Sequence, residues 1–177
     1  TEIDLRKGEM DYMRDPVKLA ELRRRAEAKV YALVEEEAPE VTDRQVRLRL
    51  CKEVLDEALG LGPLEDLLAD TAVSEIMVNG FDRIFIERNG RLELSDVQFI
   101  SNDQLRLIIE RIVAPIGRRI DEKVPMVDAR LADGSRVNAI IPPLALDGPA
   151  LTIRKFAKSF LTVDDLVRFG SMTQQMA

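Results

Sequence analysis

Apolar residues in the first third of the chain recur every three or four positions, the spacing that places side chains on one face of an α-helix. This spacing predicts a helix over 16–37 and a second helix over 42–59, which Gly60 ends. Thr42 and Gln45 have the spacing of a capping box at the start of the second helix. The predicted buried stripes are Leu19, Leu22, Ala26, Val30 and Leu33 in the first helix and Leu48, Cys51, Leu55 and Ala58 in the second. Two such helices with a short connection form an antiparallel hairpin, which we call the arm.

Beyond residue 62 the pattern changes to short apolar runs, several of which alternate with polar residues as strands with one buried face do. Asn89-Gly90 lies between two such runs and is a strong signal for a tight β-hairpin. Ser101 and Gln104 form a second capping box, at the start of a helix. The predicted strands are 75–79, 83–88, 91–94, 126–131, 136–141 and 151–156, with short helices at 64–68 and 162–170.

This order of elements predicts an α+β fold, in which an N-terminal helical hairpin or bundle precedes an antiparallel sheet with flanking helices. We call the part after the arm the body. Residues 60–63 between them concentrate glycine and proline, so we expect the arm to move relative to the body.

The predicted strands over 126–131 and 136–141 form a hairpin whose register can be assigned from side-chain alternation. One face of the pair is apolar and consists of Val127, Ala129, Leu131, Val137, Ala139 and Ile141. Joining the two apolar sets places Leu131 opposite Val137 and leaves Asp133-Gly134-Ser135 as a three-residue loop.

The polar face of this hairpin carries Arg130 and Arg136, and the alternation of the last strand turns Arg154 away from its apolar side chains as well. Three arginines are therefore predicted to share one polar face. Two interpretations are open at this point. The face is either an anion-binding site or a solvated surface on which Asp128 neutralises Arg130.

The composition of the chain mainly excludes certain classes of protein and of site. The 177 residues are 46% hydrophobic and 33% charged with a net charge of -6, which excludes a disordered chain, and they contain no apolar run long enough to span a membrane. With no histidine and only Cys51, a zinc site, a Ser-His-Asp triad and a Cys-His pair would lack their usual residues. The single cysteine and the absence of an apolar signal segment predict a cytoplasmic location, and Thr1 at the start suggests a fragment of a longer protein.

The stretch 130–158 reverses the acidic charge of the chain. It contains Arg130, Arg136, Arg154, Lys155 and Lys158 against Asp133 and Asp147. Such a local basic face suits a small anion. It is too small for a nucleic-acid footprint, and with no tryptophan and only two tyrosines the chain has few stacking platforms, so we expect no nucleic-acid partner.

At these residues the sequence resembles a known family. The strings GRRIDEKVPMVDARLADGSRVNAIIPPLALDGPALTIRKF, GPLEDLLADTAVSEIMVNG and RIFIERNGRLEL are similar to the N-terminal region of CpaF/TadA-type Tad (Flp) pilus assembly ATPases, members of the type II/IV secretion ATPase superfamily. The resemblance covers about residues 60–173. One departure is Lys123-Val124, in a predicted loop. The larger departure is that the chain has no G-x-x-x-x-G-K-[ST] phosphate loop, so we expect it not to hydrolyse ATP by itself.

The resemblance implies three segments: a helical arm over 1–59, a PAS-like domain over 60–171, and over 172–177 the start of a linker to a missing RecA-like ATPase domain. In the family the PAS-like domain lies over the nucleotide-binding domain in a hexameric ring, and its arginines reach the terminal phosphates. By motif these are Arg136 in DGSRV and Arg154 in LTIRKF, with Arg130 in DARL as the third.

The resemblance also implies cofactors and partners. The full-length parent is expected to use ATP and Mg, whereas none is expected for the fragment. Expected partners are its own RecA-like domain, the neighbouring subunits of a homohexamer and inner-membrane pilus platform proteins. The parent is expected to be cytoplasmic and peripheral to the bacterial inner membrane, with no span of its own.

Two rival functions stay open. The PAS-like body could be a sensor of a small ligand or cyclic dinucleotide, and the arm could be a docking module for a platform protein. A free-standing enzyme is the weakest alternative, because the adjacent carboxylates Asp121-Glu122 and Asp164-Asp165 have no partner base nearby in the sequence.

Overall fold

The computed structural model describes residues 16–131, 133–156, 163–174 and 176, and for 16–20, 22, 23 and 166 it describes the backbone alone. The elements are α1 (Pro16–Glu37), α2 (Arg44–Leu59), α3 (Leu64–Ala69), β1 (Val73–Asn79), β2 (Ile84–Arg88), β3 (Arg91–Leu94), α4 (Asn102–Val113), a 3₁₀ turn (Ala114–Ile116), β4 (Met126–Arg130), β5 (Arg136–Ile140), β6 (Ala150–Arg154) and α5 (Val163–Arg168). All six predicted strands are present, and the predicted α+β class is confirmed.

The six strands form one antiparallel sheet in the order β3-β2-β1-β6-β5-β4. The first and last strands of the chain, β1 and β6, are therefore neighbours in the middle of the sheet. Between β2 and β3, Asn89 (φ 52°) and Gly90 (φ 76°) both lie in the left-handed region, as a two-residue type I′ turn requires. The hairpin predicted from Asn89-Gly90 is confirmed.

One face of the sheet is buried against α3 and α4. The core contains fully buried side chains from both layers, namely Leu64 of α3, Leu105, Ile108 and Ile109 of α4, and Ile76, Ile84, Val137, Ala139, Leu151 and Ile153 of the strands. Helix α4 begins as predicted, since the Ser101 hydroxyl accepts from the backbone N–H of Gln104 (3.2 Å). The Gln104 side chain accepts in turn from the backbone N–H of Ile100 (2.6 Å), which completes the cap.

The arm is an antiparallel pair of helices with an apolar cluster separate from that of the body. Its buried side chains are Val30, Val34, Cys51 and Leu55. The predicted cap of α2 is wrong: Asp43, not Thr42, is the N-cap. The Asp43 carboxylate accepts from the backbone N–H groups of Gln45 (2.7 Å) and Val46 (3.2 Å), so the N-cap lies one residue later than predicted.

The predicted buried stripes of the arm are also wrong at three positions. Leu33 is 54% exposed, Leu48 is 37% exposed and Ala58 is exposed. A helix with only one partner helix buries a narrow face, and a spacing of three or four does not decide whether Leu33 or Val34 faces the partner. The side chains of Leu19 and Leu22, also in the predicted stripe, lie outside the described residues.

The register of the β4–β5 hairpin differs from the predicted one by two residues. Ala129, not Leu131, lies opposite Val137. Leu131 instead donates its backbone N–H to the carbonyl of Ser135 (2.8 Å). A shift of two residues keeps every side chain on its face, so alternation does not distinguish the two registers. The turn distinguishes them, because the Asp133 carboxylate accepts from the backbone N–H (3.0 Å) and the hydroxyl (2.8 Å) of Ser135.

Polar contacts connect the arm to the body at the end of α2. The guanidinium of Arg111, in α4, donates to the carbonyls of Glu57 (2.9 Å) and Gly60 (2.6 Å). These are among the last carbonyls of α2, where a cation also favours the helix dipole. The Gln104 amide donates to the Glu57 carboxylate (2.6 Å). Arg111 is therefore the main polar link across the predicted hinge.

An ion-pair bridge through Lys52 joins α2 to α3. The ammonium of Lys52 lies 2.7 Å from a carboxylate oxygen of Asp56 and 2.7 Å from one of Asp66. Hydrogen bonds to Asp56 and then to Asp66 raise the pKa of Lys52 to about 12. Because this pKa is raised above its unfolded value, the bridge stabilises the fold fully below about pH 10.5 and loses that contribution only as the pH rises through 12.

We predict that Ala139→Asp unfolds the body. Ala139 is fully buried between Val127 of β4 and Leu151 of β6. An unpaired buried carboxylate costs several kcal/mol, comparable with the whole stability of a domain. Arg136→Ala is the matched control, because Arg136 lies on the same strand but on its exposed face. It should change the free energy of unfolding by less than about 1 kcal/mol. Thermal melts of both variants test this, and equal losses of Tm would show that the two faces of β5 are assigned wrongly.

We predict that Arg111→Ala loosens the arm without loosening the sheet. Removing a charged donor from two carbonyls should cost about 1.5–3 kcal/mol in local stability, and the amides in the last turn of α2 should exchange faster with solvent. Arg106→Ala is the control, since Arg106 lies on the same helix and pairs with Glu110 of that helix in a half-exposed contact that does not involve the arm. Hydrogen exchange distinguishes the outcomes. Exchange of arm and sheet amides as one cooperative unit would contradict a hinge at residues 60–63.

Candidate functional site

The three predicted arginines form a row across three adjacent strands. Arg130 of β4 lies directly opposite Arg136 of β5, and Arg136 lies directly opposite Arg154 of β6. Neighbouring strands are about 4.8 Å apart, so the three Cα atoms span roughly 10 Å. All three side chains are exposed, on the face of the sheet away from α3 and α4. The structure confirms that they share one polar face, and we call them the arginine row.

Little of the positive charge of the arginine row is neutralised by its surroundings. Asp128 approaches Arg136, not Arg130, at 3.9 Å between guanidinium nitrogen and carboxylate oxygen. Both side chains are more than half exposed, at 64% and 61%, so this contact contributes little. Within the part of the chain that the structure describes, Arg130 and Arg154 have no carboxylate within 4.0 Å. The predicted neutralisation of Arg130 by Asp128 is therefore not what the structure contains.

Like charges directly opposite each other on a sheet are destabilising by a few tenths to about 1 kcal/mol per pair. The arginine row contains two such pairs, Arg130 with Arg136 and Arg136 with Arg154. Arg154 also lies opposite Glu75 of β1, an opposite-charge pair that offsets part of this cost. The like-charge pairs outnumber it by two to one, so a gain in sheet stability does not explain the row. An anion bound between the guanidinium groups would relieve the repulsion and would receive several charge-assisted hydrogen bonds.

Ser135 fixes the end of the arginine row that lies next to the β4–β5 loop. This role was not predicted from the sequence. It is 2% exposed, and its hydroxyl accepts from the backbone N–H of Phe156 (3.1 Å). Gly134, at φ +88°, brings the loop against the Phe156 ring, where an added Cβ would lie 3.2 Å from ring carbons. These contacts join the start of β5 to the end of β6 and so hold Arg136 beside Arg154. The sequence feature that could have indicated this role is the position of Ser135, directly before the first residue of β5.

The same face becomes acidic beyond β6. Glu75 of β1 lies opposite Arg154, and Glu87 of β2 lies opposite Glu75. An anion is therefore attracted to the β4–β6 half of the face and repelled from the β1–β2 half. The next row along the strands contains Asn138 and Thr152, which offer uncharged hydrogen-bonding groups beside the arginines.

Lys155, one of the two lysines of the basic stretch identified in the sequence, does not contribute to the arginine row. The Lys155 ammonium donates to the carbonyl of Asp70 (2.5 Å) and lies 3.4 Å from that of Leu67, both at the end of α3 and on the other side of the sheet. Lys158 lies outside the described residues. Among the described residues, the cations of this stretch that lie on the open sheet face are therefore the three arginines.

The adjacent carboxylates noted in the sequence have structural partners. Asp121 accepts from the backbone N–H groups of Val124 (3.0 Å) and Lys123 (2.9 Å) and from the Arg119 guanidinium. The Val124 bond, followed by Arg119, lowers the pKa of Asp121. Asp165 contacts Arg168 at 2.8 Å. Asp121 therefore holds its loop, and Asp165 pairs with an arginine of the same short helix.

The described residues also limit other types of site. Among them, no cluster of three or more carboxylate or thiol side chains has the arrangement of a metal site. None of the described helices has the length and apolar character that crossing a bilayer requires.

Comparison with known proteins adds relatives for most of the chain. An uncharacterised protein of Methanocaldococcus jannaschii is 43% identical over 115 residues, which are 63% of this chain and 16% of the relative. The probable conjugal transfer protein TrbB of Sinorhizobium fredii is 32% identical over 124 residues, 70% of this chain and 37% of the relative. The chain thus spans well under half the length of these relatives.

The solved VirB11 ATPase of the Brucella suis type IV secretion system, in complex with sulphate, has the same fold over 70% of this chain and 37% of its own length, with a TM-score of 0.59 and 24% identity. A family model for type II/IV secretion system proteins matches residues 57–177. Because this match covers more than half of the sequence, the chain belongs to the type II/IV secretion system protein family.

Proposed function

We propose that this chain is the N-terminal part of a secretion or pilus-assembly motor ATPase and that its arginine row caps the phosphates of a nucleotide held by a downstream RecA-like domain. The observation that carries the proposal is the alignment of Arg130, Arg136 and Arg154 at directly opposite positions of three strands, where they are exposed and have, among the described residues, one weak carboxylate contact. Such a surface is costly for the chain alone and favourable when an anion is bound.

The residue type fits phosphate. Each guanidinium presents fixed, planar hydrogen-bond donors that match two phosphate oxygens at once, whereas a lysine offers only a compact point charge. A span of roughly 10 Å lets neighbouring arginines contact successive phosphates of one nucleotide. In this proposal the downstream domain supplies the phosphate loop and Mg, and this chain supplies positive charge from the opposite side.

In this proposal, ATP hydrolysis would weaken the attraction between this chain and the downstream RecA-like domain. Contacts from the arginine row to the terminal phosphate exist before hydrolysis and are lost when that phosphate leaves. The sheet is rigid, so the body would move as a unit, with the arm carried at its other end. We propose that this motion, repeated in neighbouring subunits of a homohexamer, is how the motor couples ATP turnover to transport.

We further propose a place for the motor. The strings DGSRV and LTIRKF, which carry Arg136 and Arg154, favour the Tad (Flp) pilus assembly branch of the family. A motor of that branch would work against inner-membrane platform proteins from the cytoplasmic side.

We predict that Arg136→Ala and Arg154→Ala, each introduced into the full-length protein, lower ATP turnover about ten- to a thousandfold. This range corresponds to losing roughly 1.4–4 kcal/mol of charge stabilisation. Lysine at either position should rescue only partly, because the charge is kept and the planar pair of donors is lost. Steady-state ATPase kinetics on assembled rings, with ring size checked by mass, measures this.

Arg91→Ala is the matched control, since Arg91 is an exposed arginine on β3 at the far edge of the same sheet. Its turnover should equal that of the wild type. Unchanged turnover in both Arg136→Ala and Arg154→Ala would refute the capping role. Micromolar binding of a small nucleotide by the present chain alone would instead favour the sensor function.

A further inference from the structure

An apolar groove runs along the arm and continues onto the body. Leu50 and Val54 of α2 line two adjoining concavities, of about 270 and 570 Å³. Leu33 of α1 lines the first, and Ile100, just before α4, lines the second. Leu33 is 54%, Val54 is 40% and Ile100 is 84% exposed. We call this continuous surface the arm groove.

The groove has the dimensions of a helix-binding site. Leu50, Val54 and Ala58 of the groove lining recur every four residues along α2, and exposed Val46 continues the row one turn before them. The four side chains extend over about 18 Å at 1.5 Å per residue. An amphipathic helix of about 12 residues has the same length and buries apolar side chains at the same spacing. Within this row Leu50 also packs partly against the arm's own cluster, whereas Val46, Val54 and Ala58 are exposed.

The rim of the arm groove is acidic. Its lining includes Glu37, Glu53, Asp56, Glu57 and Asp66 and no lysine or arginine. Among the described residues, Arg49 contacts the Glu53 carboxylate, Lys52 contacts those of Asp56 and Asp66, and Arg111 contacts the backbone carbonyl of Glu57. Carboxylates therefore outnumber cations by five to three, and the groove attracts a basic partner.

The acidic charge of the rim distinguishes between possible occupants of the arm groove. Two copies of the chain packed through the same groove would bring two acidic rims together, which is repulsive. Residues 1–15 contain Glu2, Asp4, Glu9, Asp11 and Asp15 against Arg6, Lys7 and Arg14, so the chain's own N-terminal segment is acidic as well. Neither of these occupants matches the rim.

We propose that the arm groove binds an amphipathic helix of a partner protein, with an apolar face against Leu50, Val54 and Ile100 and lysine or arginine beside Glu37 and Glu53. This goes beyond the nucleotide-capping role, because the groove lies on the arm and the arginine row on the sheet. Binding requires neither ATP nor the downstream domain.

The probe is a labelled peptide of about 14 residues made of leucine and lysine, with leucines at helical spacing, and its counterpart with glutamate for every lysine. The present chain should bind the lysine peptide, more weakly as salt is raised, and should not bind the glutamate peptide. Val54→Ser and Ile100→Ser should each lower the affinity about tenfold, since each removes a large apolar contact. Glu37→Gln with Glu53→Gln should lower it and flatten its salt dependence.

Leu146→Ser is the control, because Leu146 is 93% exposed on the loop between β5 and β6, away from the groove. It should bind like the wild type, and circular dichroism should show all variants folded. Equal binding by Val54→Ser, Ile100→Ser and Leu146→Ser, or by both peptides, would overturn the proposal. So would tighter binding after deletion of residues 1–15, or dimers in sedimentation that Val54→Ser abolishes, since these identify the chain itself as the occupant.

Discussion

Burial of one sheet face against α3 and α4 is the constraint on which the rest of the structure depends. Because side chains alternate along a strand, sinking Val137 and Ile153 into the core obliges Arg136 and Arg154 to project from the opposite face. The antiparallel register then sets them directly opposite each other. The arginine row is thus a consequence of how the core packs, and its repulsion is tolerated because the core contributes far more to stability than two cross-strand pairs remove.

The turn between β4 and β5 completes this arrangement. A loop end without anchors would let the arginines at the strand ends fray apart. Ser135 prevents this by accepting from the backbone of Phe156 while its own N–H and hydroxyl are held by Asp133. A buried hydroxyl that makes all of these hydrogen bonds holds the segments it connects in a fixed geometry. The geometry of the candidate site therefore rests on a residue that would not itself contact an anion.

Charge is segregated between the two parts of the chain. The body presents arginines on its open sheet face, whereas the groove along the arm is bordered by carboxylates. The two proposed binding surfaces therefore differ in the sign of their charge. Arg111 and Lys52 connect the parts through polar contacts rather than through a shared apolar core. Contacts of this kind hold the orientation of the arm but open more readily than core packing does.

Local pattern determined much of this protein. Alternation located all six strands and put the three arginines on one face, and the turn and cap residues Asn89, Gly90 and Ser101 acted through contacts within a few residues. Tertiary structure decided the rest. A two-residue register shift leaves alternation unchanged, so only the Asp133–Ser135 turn established that Arg130 lies opposite Arg136. Which arm residues are buried, and that Lys155 reaches α3 instead of joining the arginines, depended on partners distant in the chain, which no local spacing encodes.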